Sequence, residues 1–465
     1  MRFDHVISLE GDNMKVLKFG GTCVGTTAML SKVEDVIQRE HEPKVIALSA
    51  IAGVTNQLID FLGKFHKDEE IDAFIDDLMK NHVKLLPENE DLKKEAIEAL
   101  DLRLKKLSSL LYGVSYTEEL TPRTRDMIIC MGERLSVIVL ATRLRARGLN
   151  AAAFNADEIG IITDGVHGNA TALLDDCEKS VGPKIHALLK AGVIPIITGF
   201  FGISKDGYVT TFGRSGTDYT ASVLARSCDA SIVEIWKDVD GFMTADPKLI
   251  PDARQVDRLS YEEAAELAYF GAQALHPRAV FPVLKKKIPI AIRNVLKPDD
   301  PGTLICNDVS TKKNILKSVS FLKKIATIKV FGTGAGYKEG FLADIAQTLA
   351  QAKINIYSAT TSQTCVALLV DESEVHRAKK ILEHILGGYF EKIEVHENSA
   401  LVCVVGAGLG STRGVAARVF NAVANEGVNI DLISAGASTV AYHFTVDKKD
   451  LQKTVKAIHS EFFEK

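Results

Sequence analysis

Lys18, Gly20, Gly21 and Thr22 follow directly on an apolar pair, Val16-Leu17, in KVLKFGGTCVGT (15–26). A cation beside two residues without side chains leaves backbone that another molecule can approach closely. Two further clusters carry groups of the same kind. GERLS (132–136) puts Glu133 and Arg134 in the opening turns of an apolar helix, and TTFGRSGTDYTAS (210–222) is a glycine-bracketed turn opening another. A helix N-terminus offers unpaired N–H groups and a positive dipole end to an anion. Arg214 adds a two-pronged donor for carboxylate or phosphate. In WKDVDGFMTADPKL (236–249), Asp238, Asp240-Gly241 and Asp246-Pro247 read as two turns after a strand. The same stretch could cover a purine beside Trp236 and aim polar groups at a ribose or a metal-bound triphosphate. Singly, each cluster also reads as ordinary turn chemistry or a solvated charge. Their value comes from the set.

Strand-like runs must position these groups. KVIALSA (44–50), GVIPIITGF (192–200), SIVEIW (231–236) and IPIAIRN (288–294) alternate with helix-like stretches up to about Asp308, which predicts an α/β fold with a mainly parallel sheet. Lys18, Ser49, Thr198 and Asp238 fall at strand ends, where open α/β sheets bind ligands. Residues 55–112 are long, charged and helical by period, with Pro87 splitting them, and read as a solvated helical insertion covering one side of the site.

Beyond about residue 312 the chain repeats itself. Residues 330–362 match 404–436 at a constant offset, with Gly332, Gly334, Gly336 and Gly340 recurring as Gly406, Gly408, Gly410 and Gly414. Each copy reads as a strand, a glycine loop, an amphipathic helix and further strands, so two small α+β modules are expected. VVGAGLG suggests a dinucleotide fingerprint, but Ser411 stands where its third glycine is needed.

The chain of 465 residues is 46% hydrophobic and 25% charged, which fits several globular domains. A formal net charge of −4 and the lack of a basic run speak against a nucleic-acid partner. Seven scattered cysteines without CxxC spacing fit a reducing cytoplasm and neither a disulfide framework nor a structural zinc site. Residues 1–13 contain Asp4, Glu10 and Asp12 and read as an N-terminal extension, neither signal peptide nor membrane anchor.

Eight ordered motifs, KFGGTCV (18–24), SAIAGVTN (49–56), GERLS, ITGFFG (197–202), TTFGRSGTDYTA, EIWKDVDGFMTADP (234–247), AELAYFGAQALHP (265–277) and PGTLICN (301–307), together with the doubled module, resemble the aspartokinases. These are members of the amino acid kinase family with a pair of C-terminal ACT domains. The resemblance implies a three-layer αβα kinase domain over 1–312, then ACT domains over 313–396 and 397–465. It also implies transfer of the ATP γ-phosphoryl group to the side-chain carboxylate of L-aspartate, toward lysine, threonine and methionine. ATP and Mg²⁺ would take part, the ion held mostly by the nucleotide. The acceptor is already ionised at neutral pH, so the task is positioning and charge neutralisation, with no general base.

By that similarity Lys18 neutralises the transferring phosphoryl while Phe19, Gly20 and Gly21 line the nucleotide side. Glu133 holds the substrate ammonium, Arg214 its carboxylate, Ser49 and Thr55 contact substrate or phosphoryl oxygens, and Asp218 organises the cations. Lys237, Asp238, Met243, Lys248 and Gln273 fall in the nucleotide loops. Cys23 stands where serine is usual, Lys237 for threonine, Met243 for tyrosine and Lys248 for arginine; Gln273 replaces a phosphate-contacting lysine, for which Lys237 or Lys248 is a candidate substitute. An effector, lysine or threonine, is expected at Gly340, Phe341, Leu342, Tyr357, Thr361, Ser362 and Gln363, although lysine-sensitive relatives carry acids where Tyr357 and Gln363 stand. A homodimer through the ACT domains is implied. A kinase for another acidic amino acid and a non-catalytic amino-acid sensor are the alternatives.

Overall fold

The computed structural model describes residues 13–272, 274–307, 315–332, 339–385, 391–410 and 412–464. The chain divides into two compact units. The first comprises the described residues of Met1–Phe242, Asp257–Tyr261 and Ala274–Asp308, and the second those of Met243–Val256, Glu262–Gln273 and Val309–Lys465.

In the first unit the apolar runs form β1 (Lys15–Phe19), β2 (Lys44–Leu48), β3 (Ala151–Phe154), β4 (Ile194–Thr198), β5 (Ile232–Lys237), β6 (Arg258–Leu259), β7 (Ile290–Asn294) and β8 (Thr303–Ile305). They make one sheet in the order β3-β4-β2-β1-β5-β7-β8-β6. All of its pairings are parallel except β7 with β8. Val16, Leu17, Phe19 and Val45 to Leu48 are buried, as unbroken apolar strands are when helices cover both faces. Register sets Phe19 level with both Leu48 and Trp236, and Leu48 level with Thr198. The loops after these four strands therefore leave the same end of the sheet side by side.

Helices α1 (Thr27–Arg39), α2 (Asp68–Val83), α3 (Glu90–Thr117), α4 (Met131–Ala146) and α5 (Gly216–Ser227) belong to this unit. Pro87 lies in the break between α2 and α3, as the sequence suggests. Leu100, Leu104, Leu107 and Leu111 recur every three or four residues along α3, and with Ile71 and Leu78 they join Leu135 and Leu140 of α4 in one core. The charged insertion is thus anchored by a continuous apolar stripe. Helix α4 is buried almost all round.

In the second unit the strands are β9 (Ser318–Phe331), β10 (Ser358–Thr361), β11 (Cys365–Asp371), β12 (Lys392–Val405), β13 (Leu432–Ala435) and β14 (Ala441–Asp447), antiparallel in the order β10-β11-β9-β12-β14-β13. Helix α6 (Tyr261–Tyr269) enters this unit at Glu262, followed by α7 (Phe341–Gln351), α8 (Val375–Ile385), α9 (Val415–Asn425) and α10 (Leu451–Phe463). The two repeats share β9. Ser318–Leu322 pairs with Leu401–Val405, then the register shifts, and Ile325–Phe331 pairs with both β11 and the first half of β12. Accordingly Val319 packs in one core with Val402 and Val415, and Ile328 in another with Phe341 and Leu368. Gly340 and Gly414, equivalent in the repeat, cap α7 and α9 at φ +84° and +82°, a conformation that favours glycine.

Candidate active site

Three charged groups meet at the carboxyl end of β1. Lys18 Nζ lies 2.7 Å from Asp218 Oδ1, and Lys237 Nζ lies 3.3 Å from Asp218 Oδ2. Lys18 is the penultimate residue of β1, Lys237 ends the neighbouring β5, and Asp218 sits in the first turn of α5, so parallel pairing and one helix suffice to assemble them. Asp218 is 1% exposed. Burial alone would raise its carboxyl, but the Lys18 and Lys237 ammonium groups outweigh that and bring it down to about 2. Burial also holds the Lys237 ammonium below the ordinary lysine value. Two cations on one anion leave a net positive charge, the sign needed for a phosphoryl group.

Close backbone packing requires only one of the two glycines. A Cβ at Gly21 would stand 2.8 Å from the Ala50 carbonyl oxygen, and Ala52 N–H donates to the Gly21 carbonyl at 3.2 Å, so the loops after β1 and β2 touch through backbone. At Gly20 a Cβ would make only ordinary contacts, Lys18 Nζ at 3.4 Å the nearest. Cys23 donates its Sγ–H to the Trp236 carbonyl at 3.5 Å.

Beside this contact lies Glu133, 3% exposed, in the first turn of α4. One carboxylate oxygen accepts the Ala50 N–H at 3.1 Å, while the other is buried with no hydrogen-bond partner among the described residues. Burial pushes the Glu133 carboxyl up to about 8, offset only in part by that N–H. A buried acceptor of this kind suits a cation brought by a ligand. Gly132 makes room for the arrangement: a Cβ there would meet Ala50 Cβ at 2.7 Å and Thr55 Oγ1 at 3.8 Å. Ser49, whose carbonyl accepts the Ser136 hydroxyl at 2.8 Å, and Thr55 are both half-buried around the same loop.

Arg214 is exposed in the turn before α5, and Ser215 caps that helix at φ +53°. The structure thus groups Lys18, Gly20, Gly21, Asp218 and Lys237, and next to them Ser49, Thr55 and Glu133. Asp238 is exposed just past β5, whereas Asp240 accepts from Asn294 Nδ2 at 2.6 Å and Lys297 Nζ at 2.7 Å. Trp236 is held by its indole N–H to Glu234 at 3.0 Å and by the Arg293 guanidinium 4.5 Å over its ring. Met243 and Lys248 fall in the second unit, where the Met243 carbonyl accepts the Ser318 hydroxyl at 2.7 Å. Gln273 lies outside the described residues.

Of the expected effector residues, Gly340 caps α7, Phe341 is buried in the module core, and Leu342, Thr361, Ser362 and Gln363 are exposed. Tyr357 N–H donates to the Leu369 carbonyl at 2.8 Å, and its ring is 5.9 Å from Tyr269, at the end of α6. Ser358 bonds His443 Nε2 at 2.9 Å, and the His443 ring packs on Phe270 at 4.7 Å.

Sequence reasoning missed Asp126 and Arg278. Asp126 shares the inner face of helix Pro122–Ile129 with Ile129, and an acid on an apolar helix face was the available signal. Arg134 pairs with Asp157 at 2.8 Å and stacks 4.6 Å over Phe201.

The amino acid kinase family model matches residues 13–294, and an ACT domain model matches 402–462. The chain is 31% identical to aspartokinase 1, chloroplastic, of Arabidopsis thaliana, covering 97% of this chain and 80% of that protein. It also matches bifunctional aspartokinase/homoserine dehydrogenases, of which it spans about half. Among solved structures it superposes on E. coli aspartokinase III in complex with aspartate and ADP at a TM-score of 0.83, with 28% identity over 97% of this chain and 100% of that one. The same enzyme in complex with lysine and aspartate gives 0.81 with equal identity and coverage.

Proposed function

The chain belongs to the amino acid kinase family, and within it to the aspartokinases, and on that premise we propose that it transfers the γ-phosphoryl group of ATP to the side-chain carboxylate of L-aspartate. The observation that carries the reading is the pairing of a net-positive Lys18–Asp218–Lys237 cluster with the buried, unpartnered oxygen of Glu133. One suits a phosphoryl group; the other suits an ammonium.

In this reading a β-carboxylate oxygen of aspartate attacks the γ-phosphorus in line, the bond to the bridging oxygen breaks, and ADP leaves with that electron pair. No proton is removed, because the nucleophile is ionised at neutral pH. Lys18 and Lys237 offset the charge that keeps the two anions apart, and Asp218 fixes both ammonium groups before substrate arrives. Glu133 takes the substrate ammonium and Arg214 its α-carboxylate, orienting the β-carboxylate toward the phosphoryl. Mg²⁺, when bound with ATP, supplies further neutralisation of the triphosphate. Among the described residues no group of three His, Cys, Asp or Glu is placed to hold a metal, and both Asp218 oxygens face lysines, so we assign the ion to the phosphates.

The reaction would open the route toward lysine, threonine and methionine, with lysine or threonine as effector at the exposed residues around α7 and β10 and a homodimer through the ACT domains. All seven cysteines are free, which fits work in a reducing compartment such as the cytoplasm. No helix among the described residues is long and apolar enough to cross a membrane. ADP release measured with L-aspartate, D-aspartate and L-glutamate tests the reading. Release with L-aspartate alone supports it, and L-glutamate serving equally well would overturn the substrate assignment.

A further inference from the structure

Arg214 carries no ion pair or hydrogen bond of its own among the described residues, yet the chain just before it is pinned twice. One pin is Asp126, 1% exposed at its place on helix Pro122–Ile129. Its carboxylate accepts the Thr211 hydroxyl at 2.7 Å, Thr211 N–H at 3.3 Å and Gly168 N–H at 3.0 Å, and it meets His167 Nδ1 at 2.9 Å. Four donors converge on one buried carboxylate, and hydrogen bonds to a charged group are the strong ones.

The other pin is Arg278. Its guanidinium donates to the Phe212 carbonyl at 2.8 Å, the Ala170 carbonyl at 2.6 Å and Asn169 Oδ1 at 2.9 Å, and it lies 4.9 Å over the Tyr219 ring. Tyr219 follows Asp218 on α5 and accepts the Ala172 N–H at 3.1 Å through its hydroxyl. Thr211 and Phe212 are therefore fixed from two directions, by an anion through N–H and hydroxyl and by a cation through carbonyl. Gly213, Arg214 and Ser215 form the short span left between them and α5, closed by Gly216 N–H on the Gly213 carbonyl at 3.1 Å.

We propose that Asp126 and Arg278 are positioning residues that together fix the N-terminal anchor of this span and so set where the Arg214 guanidinium meets the α-carboxylate of the substrate. The inference rests on the functional reading above. Neither residue touches the reacting atoms; each acts through the backbone of Thr211 and Phe212.

Steady-state kinetics of Asp126→Asn, Arg278→Met and Thr211→Val, each alone and combined with Arg214→Ala, test it. Thr211→Val removes a single donor and keeps the question open to test if Asp126→Asn does not fold. The expected result is a rise of about tenfold or more in the aspartate KM for Asp126→Asn and Arg278→Met, with a smaller rise for Thr211→Val. The ATP KM stays within about twofold, and no variant lowers kcat/KM further in the Arg214→Ala background. Equal rises in both KM values, or losses that add to that of Arg214→Ala, overturn the inference while leaving the functional reading in place. A wild-type enzyme that forms no aspartyl phosphate overturns the reading and the inference with it.

Discussion

The ammonium group of Lys18 and a carboxylate oxygen of Asp218 lie 2.7 Å apart, both nearly buried, at the point where β1 ends and α5 begins. Lys237 approaches the other oxygen of the same carboxylate from the adjacent strand. Charge of the right sign is thus built into the junction of sheet and helix before substrate binds. Lys18→Met should lower kcat by about a hundredfold or more, with the aspartate KM changed far less. Steady-state rates at saturating ATP check this.

Lys237→Thr removes one of the two cations on Asp218, and the ATP KM should rise by about tenfold. An unchanged ATP KM would show that Lys237 does not serve the nucleotide phosphates.

Glu133 gives a pH dependence with a definite sign. Its carboxyl is raised to about 8 in the folded chain, so aspartate, which needs the ionised form, binds with release of a proton near neutrality. The aspartate kcat/KM should climb with pH up to about 8 and then level. For stability the sign is reversed: a raised carboxyl stabilises below its unfolded value, and that contribution is lost as pH rises through the folded one. Glu133→Gln should therefore gain up to roughly 4 kcal/mol at pH 8 and almost nothing at pH 4, while losing activity. Denaturant titrations at the two pH values decide it.

His82 is fully buried, its Nδ1 bonded to the Leu78 carbonyl at 2.7 Å and its Nε2 without a partner among the described residues. Burial depresses its basicity, so the folded chain keeps it neutral while the unfolded chain takes up a proton below about pH 6.5. Its share of stability should fall as pH drops from that value, by up to about 1.4 kcal/mol per pH unit. His82→Leu should flatten this part of the stability profile; an unaltered slope between pH 6.5 and 5 would contradict the assignment.

Tyr269 and Phe270 touch Tyr357 and His443 in the second unit, and the chain returns to the first unit at Ala274. Tyr269→Ala should weaken inhibition by the amino-acid effector, raising its half-inhibiting concentration severalfold with little change in uninhibited rate. Dose–response curves with lysine and with threonine measure it.

The parallel sheet, the helix carrying Glu133 and the turn before α5 were legible because periodicity and glycine placement are local signals. Lys18, Asp218 and Glu133 could be named from motifs, but not that Lys237 shares the Asp218 carboxylate, since register between β1 and β5 decides that. Asp126 and Arg278 escaped notice because their partners lie 41–85 and 66–109 residues away, and an isolated charge in a sequence reads as a solvated one. The repeat revealed two modules, yet the shared β9 depends on a register shift after Leu322 that leaves no local mark. Likewise Met243–Val256 and Glu262–Gln273 join the second unit through packing, as Ala245 and Ile250 do, not through any change in composition.

Phosphoryl transfer to a side-chain carboxylate can be read by trapping the acyl phosphate with hydroxylamine in the presence of ATP, Mg²⁺ and L-aspartate. β-Aspartyl hydroxamate should form in amounts matching the ADP released, and lysine or threonine should suppress it. Folded wild-type protein that yields no hydroxamate would contradict the proposed transfer.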